Sequence, residues 1–173
     1  YTSGDEAELF LNGKSLGRKK KGQYEYRLKW EEVTYQPGEL KVVAYRKGVK
    51  WAEDVMKTTD KPSLLSMSAD RTDIKADGKD LAFITVRVED RNGLLVPRSS
   101  NLINFSIEGP GKIVAVDNGD ATSHDPFQAD YRKAYNGMVL VIVKPEKGAS
   151  GSFTVKAESK GLKGTSVTVR AVN

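Results

Sequence analysis

Ala82-Phe83-Ile84-Thr85-Val86-Arg87-Val88-Glu89 alternates without a break. Ala82, Ile84, Val86 and Val88 fall on one side, and Phe83, Thr85, Arg87 and Glu89 on the other. A period of two is that of a β-strand with one face on a core. The same pattern repeats outward from it. Leu65, Met67 and Ala69 alternate before it, with Ile74 in the same edge region. Ile103, Phe105 and Ile107 alternate after it, and so do Phe153, Val155 and Ala157. Ile113 to Val116 is a short apolar run, and Val167 and Val169 lie in a last strand. Met138 to Val143 is apolar on both faces, which predicts a central strand. Turn signals separate the runs at Asp77-Gly78, Asn92-Gly93, Asn118-Gly119, Asn136-Gly137 and Lys160-Gly161. About seven short strands with regular turns predict an immunoglobulin-like β-sandwich.

The N-terminal third reads the same way. Leu9 and Leu11 share a face, with Glu8 and Phe10 opposite. Tyr24, Tyr26, Leu28 and Trp30 alternate with Glu25, Arg27 and Lys29. Leu40, Val42 and Ala44 alternate with Lys41 and Val43, and a further strand is expected over Lys50 to Lys57. Asn12-Gly13, Pro37-Gly38 and Lys47-Gly48 supply turns. Thr58-Thr59-Asp60-Lys61-Pro62 is polar and ends in a proline, which has no amide hydrogen to give a ladder and restricts Lys61. Eight of the 14 aromatic residues precede it, including both tryptophans. The expectation is two tandem β-sandwich domains, over residues 1–60 and 61–173, with almost no helix. No long segment carries a 3.6-residue apolar stripe.

Composition narrows the chemistry. The 173 residues include no cysteine and one histidine, His124. That excludes disulfides, thiolate ligands, a cysteine nucleophile and a multi-histidine metal site. The longest apolar run, Met138 to Val143, is far below the ~20 residues that cross a bilayer, so no membrane insertion is expected. Net charge is +5, and it is spread evenly, with 12 basic and 10 acidic side chains in residues 1–60. The one dense run, Arg18-Lys19-Lys20-Lys21, precedes Gly22 and reads as a solvated hairpin tip. Nucleic-acid binding needs a clustered basic face, so no nucleic-acid partner is expected.

Glycoside hydrolysis needs two facing carboxylates. Glu31-Glu32 and Glu53-Asp54 are adjacent pairs, whose members point to opposite faces of a strand. Ser123-His124-Asp125 holds three triad residue types in a row, a spacing from which no triad forms without a sharp fold of the backbone. The acids of Asp90-Arg91-Asn92-Gly93 and Asp117-Asn118-Gly119-Asp120 resemble calcium loops, but Asp and Asn beside glycine more often bond their own turn. No catalytic residue, metal site or cofactor is expected. Tyr24, Tyr26, Trp30 and Trp51 are the candidates for stacking on a sugar ring. Tyr24, Tyr26 and Trp30 share their face with Leu28, and an all-apolar face is usually core.

Glu8-Leu9-Phe10-Leu11-Asn12-Gly13-Lys14-Ser15-Leu16-Gly17 resembles the signature of a β-sandwich module in glycoside hydrolase family 2 enzymes of the β-galactosidase type. Tyr35-Gln36-Pro37-Gly38-Glu39-Leu40-Lys41-Val42-Val43-Ala44-Tyr45 looks like its second half. Gly109-Pro110-Gly111, Asn118-Gly119-Asp120 and Arg132-Lys133-Ala134-Tyr135-Asn136-Gly137 resemble the C-terminal immunoglobulin-like domain of the same enzymes. The resemblance implies a parent that hydrolyses β-galactosides or related β-glycosides with two glutamates in a (β/α)₈ barrel. It implies a bacterial periplasmic or secreted location. It also implies that the first module has lost most of an N-terminal strand. Nothing in these residues matches the barrel. The chain is therefore expected to be a non-catalytic C-terminal fragment whose partner is its own upstream barrel, with an oligosaccharide as a further candidate ligand. Two alternatives remain, a carbohydrate-binding module and an adhesin-type stalk; the Asp77-Gly78 to Asn92-Gly93 half of the pattern also occurs in invasin-like repeats.

Overall fold

A computed structural model describes residues 1–173, and the chain is all-β, with 13 strands and no helix. It divides into two compact units, Tyr1–Thr58 and Thr59–Asn173.

The first unit contains one four-stranded antiparallel sheet. Its strands are β1 (Glu6–Leu11), β2 (Lys14–Lys20), β3 (Glu39–Arg46) and β4 (Val49–Lys57), in the order β2-β1-β3-β4. Asn12 and Gly13 both have positive φ, 50° and 80°, as do Lys47 and Gly48, at 51° and 78°. Two successive left-handed residues make the turn whose twist suits a two-residue hairpin. Register places Ala7 opposite Ala44, Leu9 opposite Val42 and Leu11 opposite Leu40, so these six share one face. Ala7, Val43 and Ala44 are the buried apolar residues of this unit.

The segment expected as a strand, Tyr24 to Trp30, pairs with nothing. It adds to neither edge of the sheet, β2 or β4, and forms an extended strap that connects β2 to β3. Leu28 and Trp30 of the strap line a cavity of about 160 Å³ with Ala7, Val42, Ala44 and Ala52 of the sheet. Without a ladder there is no shared strand face. Tyr24 and Tyr26 are therefore 85% and 73% exposed, not core, while Leu28 and Trp30 are half-buried. The basic run is also displaced from its expected place: Arg18, Lys19 and Lys20 lie within β2, an edge strand, and not at a hairpin tip.

The second unit is a sandwich of two sheets. One has the order β10-β8-β12-β13-β6 and the other β5-β7-β11-β9. The first sheet comprises β6 (Asp73–Lys75), β8 (Leu102–Glu108), β10 (Tyr131–Lys133), β12 (Gly151–Glu158) and β13 (Thr165–Val172). The second comprises β5 (Leu64–Ala69), β7 (Ala82–Glu89), β9 (Gly111–Asp117) and β11 (Met138–Pro145). Strand β11 lies between β7 and β9, as its two apolar faces predict. Ala82, Ile84, Val86 and Val88 of β7 are wholly buried. They pack with Val139, Val141 and Val143 of β11 and with Ile103, Phe153, Val155 and Val169 of the other sheet. Each such aliphatic side chain contributes about 1.5–3 kcal/mol through its removal from water. This one cluster holds the unit together.

Candidate functional site

The carboxylates do not assemble into a catalytic pair. Glu53 and Asp54 are consecutive on β4, and each has its own local partner. Glu53 accepts from Lys50 Nζ at 2.8 Å, and Asp54 Oδ1 accepts from the Val55 amide at 2.9 Å. That lysine bond holds the Glu53 carboxyl below its usual range. Glu31 and Glu32 lie in the strap, exposed.

The aspartates beside glycine turns brace backbone. Asp90 is fully buried and accepts three amide hydrogens, from Asp60 at 2.9 Å, Asn92 at 2.8 Å and Leu94 at 3.0 Å. The Asp60 amide is the main cause of its lowered pKa, against an opposing effect of burial. Arg91 pairs with the Asp60 carboxylate at 2.9 Å, so Asp60 is held by both its amide and its side chain at the start of that turn. Asp120 takes both the amide and the hydroxyl of Thr122, and the hydroxyl bond chiefly lowers its pKa. No group of three or more acidic or histidine side chains is placed to hold a metal ion.

Ser123, His124 and Asp125 lie in the long connection 118–130 between β9 and β10. His124 is exposed, and the Ser123 hydroxyl accepts from the Asp125 amide and from Arg132 Nη1, each at 3.3 Å. The organiser of this connection is Arg132, which is only 1% exposed. Its guanidinium donates to the carbonyl oxygens of Val116 (2.7 Å), Pro126 (2.9 Å) and Asp125 (3.2 Å). The Phe127 ring centroid lies 5.5 Å from its central carbon. Sequence reasoning missed this role. An arginine between Tyr131 and Lys133 looks like one more surface charge, and its inward direction follows only from the strand register at Ile103.

The four candidate aromatic residues separate. Trp30 turns inward: its indole N–H donates to the Gly17 carbonyl at 3.1 Å, and the Lys19 ammonium sits 5.6 Å from its ring. Trp51, on β4, donates to Ser3 Oγ at 3.0 Å, with the Arg46 guanidinium 5.0 Å from its ring. Tyr24 and Tyr26 come together at an open cavity of about 650 Å³, whose other lining includes Lys19, Lys20, Arg27 and Lys29.

Comparison with known proteins identifies the scaffold. The family profile described as Glycoside hydrolase family 2 C-terminal domain 5 matches residues 65–168, and a domain of unknown function (DUF4982) matches residues 1–52. The chain belongs to the glycoside hydrolase family 2 C-terminal domains. This family 2 region is 41% identical over 163 residues to a β-galactosidase of Bacteroides ovatus, covering 94% of this chain and 19% of that protein. It is 33% identical to a putative β-glucuronidase of Formosa agariphila, over 83% of this chain and 14% of that one. Among solved structures, a family 2 glycosyl hydrolase of Bacteroides cellulosilyticus superposes with a TM-score of 0.92 at 36% identity, covering 98% of this chain and 22% of its own. A β-glycosidase of Bacteroides vulgatus gives 0.93 at 27% identity, over 99% and 22%. The family 2 region thus spans about a fifth of the relatives it matches, and in them it is part of a much longer enzyme.

Proposed function

We propose that this chain is the non-catalytic accessory region of a family 2 enzyme that hydrolyses β-galactosides or related β-glycosides. One observation carries the reading. Both units together match a β-galactosidase over 94% of their length while covering 19% of it, and the candidate acids Glu53, Asp54, Asp90 and Asp120 are committed to turns and local partners. The partner in this reading is the catalytic barrel of the same polypeptide, and the β-sheets serve as its rigid support. The joint match of both units to one glycosidase also leaves the adhesin-stalk alternative without support. The purified 173-residue chain is expected to give no turnover of a chromogenic β-galactoside, whereas the full-length enzyme hydrolyses it. Hydrolysis by the chain alone, surviving repurification, overturns the reading.

A carbohydrate-binding role is favoured by one feature, the exposure of Tyr24 and Tyr26 beside an open cavity. A ring standing 73–85% in solvent loses little by accepting a flat apolar sugar face.

A further inference from the structure

We infer that the cleft between β2 and the strap is a binding site for an anionic polysaccharide, one bearing uronate carboxylates or sulfate esters. The inference rests on the reading of the chain as the accessory region of a carbohydrate-degrading enzyme, and it adds the charge class of the ligand and the residues that hold it.

Three observations converge on the cleft. The first is charge. Its lining carries four cations, Lys19, Lys20, Arg27 and Lys29, against two carboxylates, Glu25 and Glu31. Glu25 is occupied, accepting the Gly22 amide at 2.8 Å. The neighbouring basic residues of the same run are occupied too, Arg18 by Glu6 at 2.6 Å and Lys21 by the Thr2 carbonyl at 2.8 Å. Lys19 donates to the Lys29 carbonyl at 2.7 Å and so holds the cleft wall in place. Lys20, Arg27 and Lys29 form no ion pair within the chain and can meet a ligand anion.

The second observation is the pair of exposed tyrosines in the same lining. Cations alone attract any polyanion; rings beside them select one that also presents an apolar face. The third is the strap backbone. Of the residues that line the cleft, Tyr26 through Lys29 and Glu31 have amides that donate to no other group of the chain, so unpaired donors lie in the strap beside the tyrosines. A pyranose bearing a carboxylate or sulfate matches all three: its C–H face stacks, its hydroxyls accept, and its anion pairs. A nucleic acid is the poorer match, because residues 1–60 hold 12 basic against 10 acidic side chains and offer no extended basic face.

The test is a titration of the purified chain at about 50 mM salt, where phosphate-like and carboxylate contacts are little screened. The probes are polygalacturonate, dextran sulfate, plain dextran and a thymidine oligonucleotide. Binding to polygalacturonate or dextran sulfate but not to plain dextran is expected, and which of the two binds tighter separates carboxylate from sulfate recognition. Reversing Arg27→Glu with Lys29→Glu should weaken binding about tenfold or more, and Tyr24→Ala with Tyr26→Ala about threefold. Reversing Lys112→Glu with Lys144→Glu, in the second unit, should leave it unchanged. Circular dichroism should match in all variants. Absence of binding, equal binding of plain dextran, indifference to the cleft variants, or tighter binding of the oligonucleotide each overturns the inference. None of these outcomes touches the accessory-region reading, which fails only if the chain itself turns over a glycoside.

Discussion

Arg132 donates from Nη2 to the main-chain carbonyl of Val116 at 2.7 Å, inside the sandwich. A lone guanidinium is thereby solvated by carbonyl oxygens instead of water, and connection 118–130 is drawn onto the sheets. The nearest carboxylate oxygen, on Asp125, is 4.0 Å away and contributes less than these dipoles.

Removing that side chain leaves buried carbonyls without donors. Arg132→Ala should destabilise the second unit by about 3 kcal/mol, a Tm loss on the order of 10 °C. Arg132→Lys should recover only part of it, because one ammonium cannot span the same oxygens. Calorimetry measures the loss, and proteolytic cleavage within 118–130 should rise in parallel.

Asp90 makes stability depend on pH in a defined direction. Its carboxyl is held below the ordinary carboxylate range, chiefly by the Asp60 amide. A depressed folded-state pKa contributes stability above the unfolded value of about 4 and loses it as the pH falls through the folded value. Unfolding followed from pH 7 to pH 2 should therefore show a fall below about pH 4. Asp90→Asn should lower Tm at pH 7 and flatten that fall. A variant whose acid slope matches the parent's would remove Asp90 from the account.

Lys47 sits at φ 51° in the β3–β4 turn, a conformation that lysine adopts poorly and asparagine adopts well. Lys47→Asn should stabilise the first unit by about 0.5 kcal/mol in urea titration. The hydrogen bond from the residue 47 amide to the Asp5 carboxylate Oδ2, 3.0 Å, uses only the backbone of residue 47 and survives the change.

Gly111 has no room for a side chain, since a Cβ there would stand 2.6 Å from the Phe153 ring. Gly111→Ala should displace that ring from the core and lower stability by about 1–3 kcal/mol. Pairing it with Phe153→Leu should return part of the loss, and a double-mutant cycle reads the coupling.

Trp30 fastens the strap to β2. Trp30→Ala should leave the sheet's circular dichroism unchanged while tryptic cleavage at Arg27 and Lys29 rises severalfold. Unaltered cleavage would show that Leu28 suffices to hold the strap.

Much of this fold is legible in the residues. Ala82, Ile84, Val86 and Val88 announce their burial because a sheet with one face on a core imposes a period of two, and Met138 to Val143 announces a central strand because it is apolar on both faces. Asn12-Gly13 and Asn136-Gly137 announce their turns because few other pairs tolerate two positive φ values. The strap was not legible. Tyr24 to Trp30 alternates as a strand does, but alternation says nothing about whether an unoccupied ladder edge is within reach. The cleft stayed hidden for the same reason, since Lys19 and Tyr24 meet only because the strap fails to pair. Arg132 escaped notice because charge reads as surface until a register shows which way a side chain points.

The parallel pairing of β13 with β6, sealed by Arg170 and Asp73 across 97 positions, governs the order of events during synthesis. Strand β13 lies inside its sheet, between β12 and β6, so the hydrophobic interior of the second unit stays open on the ribosome until Val172 has cleared the exit tunnel. Contacts that distant close slowly. Nascent β5 through β12 must meanwhile be kept from pairing with neighbouring chains, which makes overexpression at low temperature the gentler route to soluble material.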